Sequence, residues 1–250
     1  MLPHLLPLLT TLLLSLSSFA SLASAQRRFG GNRGGAAAGG GAAGGGGGNC
    51  PPVQMIVARA STEPPGEGII GAVADGVKQQ IPGAESVAVD YPATLGNYAN
   101  SEAQGVDAMV ELIEQQNAKC PGGKIVLMGY SQGAQVTGDV LSGGATGTGG
   151  GRRRLGRRQL PANTNVVAVV MMGDPTFSPG QPFNVGSNQN RAGVFERQNN
   201  AALEAMADNI QSFCDNGDTF CASGNSLATH LGYVREFETE ATDFIVQKAA

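Results

Sequence analysis

Histidine is nearly absent from this 250-residue sequence, which contains only His4 and His230. The four cysteines lack C-x-x-C spacing and no histidine cluster accompanies them, so the ligand pattern of a zinc site is missing. Lysine and arginine total 16 against 20 aspartates and glutamates, which gives a formal net charge of -4. A mildly acidic chain is a poor match for nucleic acid or an anionic membrane. We therefore expect neither a bound metal nor a nucleic-acid partner.

Long apolar runs are also missing after the first 25 residues. Those residues contain a leucine-rich core and end in Ala23-Ser24-Ala25, an A-x-A cleavage pattern, although they carry no Lys or Arg. This pattern predicts a secretory signal peptide over residues 1–25. No later segment is apolar enough to span a bilayer, and no hydrophobic C-terminal tail indicates a lipid anchor. The sequence therefore predicts a secreted, extracellular protein without a membrane anchor.

The rest of the chain divides by composition. Residues 26–49 are almost entirely glycine and alanine, which predicts a flexible, disordered tail because such a segment has nothing to bury. Residues 50–250 have the composition of a globular protein and are long enough for one well-packed core. Within that domain, five arginines between Arg152 and Arg158 follow a Gly/Thr-rich stretch. We interpret residues 142–161 as a mobile, solvated loop, with contact to a polyanion such as pectin or proteolytic cleavage as alternatives.

All four cysteines, Cys50, Cys120, Cys214 and Cys221, lie in the predicted globular domain. In an oxidising compartment an even number of cysteines predicts disulfides, here two bonds with three possible pairings.

Strand-like and helix-like segments alternate along the domain. Five short apolar runs are typical of buried strands: VQMIVA from Val53, SVAVDY from Ser86, KIVLMGY from Lys124, NVVAVVMMGD from Asn165 and NIQSFCD from Asn209. Between them, helical periodicity recurs, and Ser101 and Gln104 form an S-x-x-Q capping box that predicts a helix start. Runs that are apolar on both faces and joined by helices predict a parallel α/β sheet covered on both sides. In such sheets the chemistry lies at the carboxyl ends of the strands.

The segment Gly129-Tyr130-Ser131-Gln132-Gly133 follows one of these predicted strands. Its G-x-S-x-G pattern predicts a sharp strand-to-helix turn that exposes the hydroxyl of Ser131 as a nucleophile. A serine hydroxyl is a weak nucleophile unless a base lies within hydrogen-bonding reach. Since His4 leaves with the signal peptide, His230 is the only imidazole that can serve as this base.

An orienting carboxylate should lie behind the histidine. Asp215 and Asp218 both fall in the short segment between Cys214 and Cys221, and Asp174 follows a predicted strand. In the chain order typical of α/β-hydrolases the acid lies between the serine and the histidine, and all three aspartates satisfy this order. From the residues alone, each of them remains a candidate.

Acyl transfer also requires two hydrogen-bond donors for the negative oxygen that develops on the substrate. The backbone N–H of Gln132 lies at the predicted helix N-terminus, where N–H groups are unpaired. The loop after the first strand should supply the second donor, and Ser61 is the candidate there.

Four segments, VARASTEPPGEG, IVLMGYSQGAQ, CDNGDTFCASG and ATHLGY, resemble in order and spacing the conserved blocks of one known family. The sequence is similar to the cutinases and acetylxylan esterases, which are grouped as carbohydrate esterase family five, and is closer overall to the acetylxylan esterases. The resemblance covers Cys50 to about Lys248, essentially the whole predicted domain.

The resemblance implies a minimal, cutinase-like α/β-hydrolase fold, three layers of α/β/α with five parallel strands. It implies a fungal, monomeric enzyme that needs no cofactor. The roles that it implies are Ser131 as nucleophile, His230 as base, Asp218 as acid, and Ser61 and Gln132 as the oxyanion hole. The disulfide pairs that it implies are Cys50–Cys120 and Cys214–Cys221.

The resemblance further implies a secreted serine esterase that acts on ester-bearing polymers of the plant cell wall. GDPTFSPGQPFNVG and the Gly-rich stretch before Asn165 resemble acetylxylan esterases, which favours removal of acetyl groups from xylan. GYSQGA and the presence of only four cysteines resemble cutinases, so cutin and short-chain esters are the alternative. A non-catalytic wall-binding protein on the same fold is the alternative of another class.

Overall fold

The computed structural model describes residues 50–143 and 160–250. The predicted signal peptide, the Gly/Ala-rich tail and residues 144–159 of the predicted Arg-rich loop lie outside the described residues. Within the described part, Ser142 is the last residue of a helix rather than part of that loop.

The described part of the chain contains six strands and six α-helices, and a helix separates each pair of consecutive strands except the fourth and fifth. The strands are β1 (Gln54–Ala58), β2 (Glu85–Ala88), β3 (Lys124–Tyr130), β4 (Asn165–Met172), β5 (Asn184–Val185) and β6 (Ile210–Phe213). The helices are α1 (Gly71–Gln80), α2 (Tyr98–Lys119), α3 (Gln132–Ser142), α4 (Ala201–Glu204), α5 (Leu227–His230) and α6 (Tyr233–Ala249). Among the described residues, no helix has both the length and the apolar character needed to cross a bilayer.

The strands form one parallel sheet in the order β2-β1-β3-β4-β6-β5. The predicted α/β fold with a parallel sheet is confirmed, and each of the five predicted strands is present. The sheet has a sixth strand, β5, which the five-strand prediction lacked. Asn184 and Val185 pair with Ser212 and Phe213 of β6. Two residues are too few to produce a periodic pattern, so only this pairing identifies the strand.

Both faces of the sheet are covered by helices. Side chains alternate between the two faces along each strand, so Met55 and Val57 enter one buried cluster while Ile56 and Ala58 enter the other. The first cluster includes apolar side chains of α1 and α6, and the second includes those of α2 and α3. Burial on both faces explains why β1, β3 and β4 are continuously apolar after their first residues, Gln54, Lys124 and Asn165.

The order in which the chain adds strands to the sheet changes direction at β1. β2 pairs on one side of β1 and β3 pairs on the other. The loop after β1 leads to α1 on one face, and the turn after β3 leads to α3 on the opposite face. A crevice forms where neighbouring strand ends diverge in this way, and it is the usual binding position in open α/β sheets. Ser61 and Ser131 follow these two strands.

The predicted capping box is wrong. Helix α2 begins at Tyr98, so Ser101 lies inside the helix. Asn97, the residue before the helix, makes no side-chain capping hydrogen bond. The Ser101 Oγ instead accepts a hydrogen bond from the Thr94 N–H at 3.0 Å and donates one to Gln132 Oε1 at 2.9 Å. The Ser101 hydroxyl, which the S-x-x-Q pattern assigned to the start of α2, therefore contacts Gln132 of α3 instead.

Two disulfides join Cys50 to Cys120 and Cys214 to Cys221. The first closes a sequence separation of 70 residues and connects the residues before β1 to the end of α2, at the amino edge of the sheet. The second closes a separation of only 7 residues, in the loop after β6.

Replacing both Cys50 and Cys120 by alanine is expected to lower the free energy of unfolding by about 4 kcal/mol, because a long loop is then no longer closed in the unfolded chain. Denaturant unfolding of the variant and the unmodified protein measures the difference. Ester turnover below the melting transition should be unchanged, since this disulfide lies at the sheet edge opposite the Ser131 turn. An unchanged unfolding midpoint would contradict the prediction.

Candidate active site

Ser131 occupies a strained turn between β3 and α3. Its backbone has φ 53° and ψ -116°, a conformation that non-glycine residues rarely adopt. A Cβ on Gly129 would lie 2.1 Å from the carbonyl oxygen of Gly133, and a Cβ on Gly133 would lie 2.1 Å from the carbonyl oxygen of Ala58. Both glycines of the G-x-S-x-G pattern are therefore required by close approach of backbone to backbone.

Backbone hydrogen bonds hold this turn on both sides. The Ser131 N–H donates to the Met172 carbonyl of β4 at 2.8 Å, which extends the parallel ladder to the turn. The Ser131 carbonyl accepts from the N–H groups of Ala134 and Gln135 in the first turn of α3, at 2.9 and 3.1 Å. The hydroxyl of Ser131 is thus positioned by the sheet and the helix together.

His230 reaches Ser131 from the far end of the chain. Its Nε2 lies 3.0 Å from Ser131 Oγ. The histidine ends α5, a short helix that Ser226 caps by accepting the Thr229 N–H at 3.1 Å. A Cβ on Gly173 would lie 2.9 Å from His230 Cε1, so only glycine leaves room for the ring at this position.

Asp218 lies behind the imidazole. Its Oδ2 is 2.8 Å from His230 Nδ1, and its Oδ1 accepts the N–H groups of Phe220 at 2.6 Å and Cys221 at 2.9 Å. The Cys214–Cys221 disulfide closes this loop, and Asp218 also pairs through its backbone with Ser226 just before α5. The carboxylate is therefore held on three sides.

The charged form of Asp218 is favoured despite its burial. Burial acts to raise its pKa, but the hydrogen bond and charge of His230, with the two backbone donors, outweigh it and lower the pKa below its usual 3.8. Because the folded pKa lies below the unfolded one, the stabilising contribution is present above about pH 4. It is lost as the pH falls through the folded pKa.

The other two candidate acids have different partners. Asp215 Oδ1 accepts the N–H and the hydroxyl of Ser187, each at 2.7 Å. Asp174 Oδ1 accepts the N–H and the hydroxyl of Thr176, and its Oδ2 lies 3.7 Å from the buried Arg197 guanidinium. Neither carboxylate is placed against the imidazole, so the geometry favours Asp218.

This arrangement can relay a proton. With a proton on Nδ1 shared with the Asp218 carboxylate, the His230 Nε2 is left as an acceptor for the Ser131 O–H. The three residues are 9%, 3% and 0% exposed for Ser131, His230 and Asp218. Electrostatic interactions act more strongly in such a water-poor setting than at the surface.

The two residues predicted to donate to a developing oxyanion, Gln132 and Ser61, follow β3 and β1. Gln132 is the first residue of α3, where backbone N–H groups lack an intrahelical partner. Its side chain is held away from the site, since Nε2 donates to the Thr94 carbonyl at 3.2 Å and Oε1 accepts from Ser101. Ser61 follows β1, and its hydroxyl has no hydrogen-bond partner among the described residues although it is buried.

Tyr130 was missed as a site residue. Its hydroxyl donates to the backbone carbonyl of His230, so the residue before the nucleophile also holds the backbone of the candidate base. Burial, and to a lesser degree the nearby Asp218, raise the pKa of Tyr130, which keeps the phenol protonated and able to donate. Strand alternation was the available signal, because Tyr130 shares a face of β3 with Val126 and Met128.

No group of His, Cys, Asp or Glu in residues 50–143 and 160–250 has the arrangement of a metal site.

Exposed apolar side chains occur in several segments that also carry residues of the candidate site, and we call the five large ones the apolar rim. In the described part of the chain, five large apolar side chains are exposed: Ile69, Leu95, Val194, Leu227 and Leu231. Leu231 follows His230 directly, and Leu95 follows Thr94, whose carbonyl binds the Gln132 side chain. These two residues of the rim are therefore adjacent in sequence to groups that form or contact the site.

Comparison with known proteins agrees with the resemblance seen in the sequence. Residues 49–249 match the family model named Cutinase. The chain is 34% identical over 206 residues to acetylxylan esterase 2 of Talaromyces purpureogenus, which covers 80% of this chain and 87% of that protein. It is 32% identical over 206 residues to cutinase 11 of Verticillium dahliae, covering 80% and 69% of the two chains. The catalytic core domain of acetyl xylan esterase from Trichoderma reesei has a similar structure, with a TM-score of 0.69, 32% identity and coverage of 80% and 100%.

Replacing Asp218 by asparagine is expected to lower kcat by about three to four orders of magnitude. The amide can still accept the Phe220 and Cys221 N–H groups, but its NH₂ group facing Nδ1 favours the tautomer in which Nε2 carries the proton. Steady-state hydrolysis of an activated acetate ester measures the loss. Asp215→Asn is the matched control from the same loop and should keep near-normal turnover. Equal losses in the two variants would show that the effect comes from the loop and not from the carboxylate on His230.

Proposed function

The chain belongs to the cutinase family, and on that premise we propose that it is a secreted serine esterase that removes acetyl groups from acetylated xylan of plant cell walls. It is a carboxylic ester hydrolase, as its named relatives are. The observation that supports the mechanism most directly is the position of the His230 imidazole, whose Nε2 lies 3.0 Å from Ser131 Oγ and whose Nδ1 lies 2.8 Å from Asp218 Oδ2.

In the first half of the reaction, Ser131 Oγ attacks the ester carbonyl carbon and passes its proton to His230 Nε2. Asp218 stabilises the imidazolium that forms, because its carboxylate is already ionised and bound to Nδ1. The tetrahedral intermediate then expels the alcohol of the polymer. The imidazolium returns its proton to that leaving oxygen, and an acyl ester of Ser131 remains.

Water completes the cycle. It attacks the acyl carbon while His230 accepts its proton, and collapse of the second tetrahedral intermediate breaks the bond to Ser131 Oγ. The imidazolium returns the proton to Ser131, and the carboxylic acid leaves. Atoms and charges balance with these residues and water alone.

Both tetrahedral intermediates carry a negative oxygen. The Gln132 N–H and the N–H and hydroxyl of Ser61 are the donors that we assign to it. Loss of one such donor commonly costs on the order of 100-fold to 1000-fold in kcat.

The preference for acetyl esters is supported by the extent of the match to acetylxylan esterase 2 of Talaromyces purpureogenus. One observation favours cutin or other esters with longer chains as the second candidate, namely that exposed apolar residues, Leu231 and Leu95, are adjacent in sequence to His230 and Thr94. Aliphatic chains would gain about 25 cal/mol for each Å² of apolar surface that they bury on such a rim.

Secretion and action as a monomer are part of the proposal. Two disulfides fit folding in an oxidising compartment. The signal peptide at 1–25, the tail at 26–49, the esterase domain at 50–250 and its mobile Arg-rich loop remain assignments made from sequence.

Ser131→Ala is expected to abolish turnover of p-nitrophenyl acetate, because no other hydroxyl lies against His230 Nε2 among the described hydrogen bonds. The variant should keep the unfolding midpoint of the unmodified protein, since the Ser131 backbone bonds do not involve the side chain. Treatment of the unmodified protein with an organophosphonate should modify Ser131 alone, and mass spectrometry identifies the labelled residue. If the unmodified protein folds but is neither labelled nor active, a non-catalytic wall-binding role is supported instead.

A substrate panel separates the two ester preferences. Acetylated xylan, p-nitrophenyl esters from acetate to palmitate and a cutin-like polyester form the panel. A steep decline in kcat/KM beyond acetate, with acetate released from xylan, is the expected result. Activity that persists through butyrate and longer chains would assign the apolar rim to acyl binding and support the cutin alternative.

A further inference from the structure

The loop from Ala60 to Ile69, which we call the oxyanion loop, carries Ser61 and is closed by one carboxylate. Glu63 Oε2 accepts the N–H of Ala60 at 2.6 Å, and Glu63 Oε1 accepts the N–H of Ile69 at 2.8 Å. A single side chain thus bonds to the residue before Ser61 and to the residue at the end of the loop. Charge-assisted bonds of this kind are about twice as strong as neutral ones.

The loop is shaped to admit this carboxylate. Gly68 has φ +63°, and a Cβ placed on it would lie 2.1 Å from Glu63 Oε2. The side chain of Glu63 therefore fills the space inside the oxyanion loop that any other residue at position 68 would occupy.

The main chain on both sides of Ser61 is fixed independently of the sheet ladder. The Thr62 N–H donates to the Ala93 carbonyl at 2.7 Å, and Thr62 itself has φ 68°. The buried Arg59 donates through Nε to the Glu63 carbonyl at 3.0 Å and through its guanidinium to the carbonyls of Val89 and Tyr91. The Ala60 N–H bond to Glu63 completes a set of contacts on either side of the Ser61 peptide.

We propose that Glu63 is a positioning residue for the oxyanion hole: by holding the oxyanion loop closed, its carboxylate sets where the N–H and hydroxyl of Ser61 lie relative to Ser131. This inference rests on the proposed esterase function. Glu63 acts through Ser61 and exchanges no proton with the substrate.

Opening of the oxyanion loop should slow the chemical step and leave substrate binding unchanged. A misplaced Ser61 removes a bond that forms only when the carbonyl oxygen becomes negative, so kcat should fall while KM stays nearly constant. The base would be unaffected, because no hydrogen bond in the described residues joins Glu63 to His230 or Asp218.

The test compares Glu63→Gln with Glu67→Gln. Glutamine has nearly the same shape, but its amide has a single oxygen, so one of the two N–H groups faces an NH₂ group and loses its acceptor. Glu67 is the matched control, because it lies in the same loop and its Oε1 accepts a hydrogen bond from the Ser86 hydroxyl at 2.5 Å. Gly68→Ala, which displaces the same carboxylate, is the second variant if Glu63→Gln does not fold.

Three measurements are made on each folded variant: kcat and KM with p-nitrophenyl acetate, the pH profile of kcat/KM, and the rate of Ser131 modification by an organophosphonate. Glu63→Gln is expected to lower kcat and the modification rate about tenfold or more, because both reactions place a negative oxygen in the hole. Its KM and its pH profile should match those of the unmodified protein, and Glu67→Gln should retain full activity.

The proposal is overturned if Glu63→Gln keeps kcat within about twofold, if its loss lies in KM, or if Glu67→Gln loses as much. Absence of both turnover and labelling in the unmodified protein would overturn the proposed function and this inference with it. If the unmodified protein is active and labelled but Glu63→Gln keeps its kcat, only this inference is overturned and the proposed esterase function stands.

Discussion

The backbone conformation of Ser131 is the constraint on which the rest of the site depends. A residue with a side chain at φ 53° costs about 1–3 kcal/mol, so the turn persists only because its surroundings determine it. The Ser131 N–H makes the last hydrogen bond between β3 and β4, and the Ser131 carbonyl accepts N–H groups from the first turn of α3. Gly133 lies directly against the end of β1. These contacts fix the Ser131 main chain relative to β1, β3 and β4. Base, acid and oxyanion donors have to be delivered to that position by other segments.

Each of those segments is held by polar contacts of its own. The Cys214–Cys221 disulfide and two backbone donors hold Asp218, and Glu63 holds the oxyanion loop. Buried Arg197 binds Asp139 of α3 together with Thr176 and Asp174 in the loop that follows Gly173. Burial raises the pKa of Asp174 although Arg197 opposes this. Removing one member of such a buried ionic group commonly costs 3–5 kcal/mol, roughly as much as a large core truncation.

Sequence patterns located the regular elements where a segment was long and apolar, as in β3 and β4. They failed where local and tertiary uses of a residue compete. Ser101 fits a capping box, but its hydroxyl contacts Gln132 on another helix, and the helix begins earlier, at Tyr98. Strand β5 is too short for any periodicity and is defined by its partner β6. No local pattern assigned a role to Glu63 or to Tyr130, which occupies a variable position of the G-x-S-x-G motif. Their contacts with the Ile69 N–H and the His230 carbonyl depend on how the loops fold over the sheet.

The sequence by itself determined the kinds of chemistry available. One imidazole in the predicted mature chain and one serine between two glycines left little choice of nucleophile and base. The tertiary structure decided which carboxylate faces that imidazole, since Asp174, Asp215 and Asp218 satisfy the same chain order. It also decided which residues hold the oxyanion loop. The physical reason is that a hydrogen bond tolerates changes of only a few tenths of an ångström in the distance between its groups. Those groups lie up to 100 residues apart in the chain, and strand register and loop closure set the distance between them.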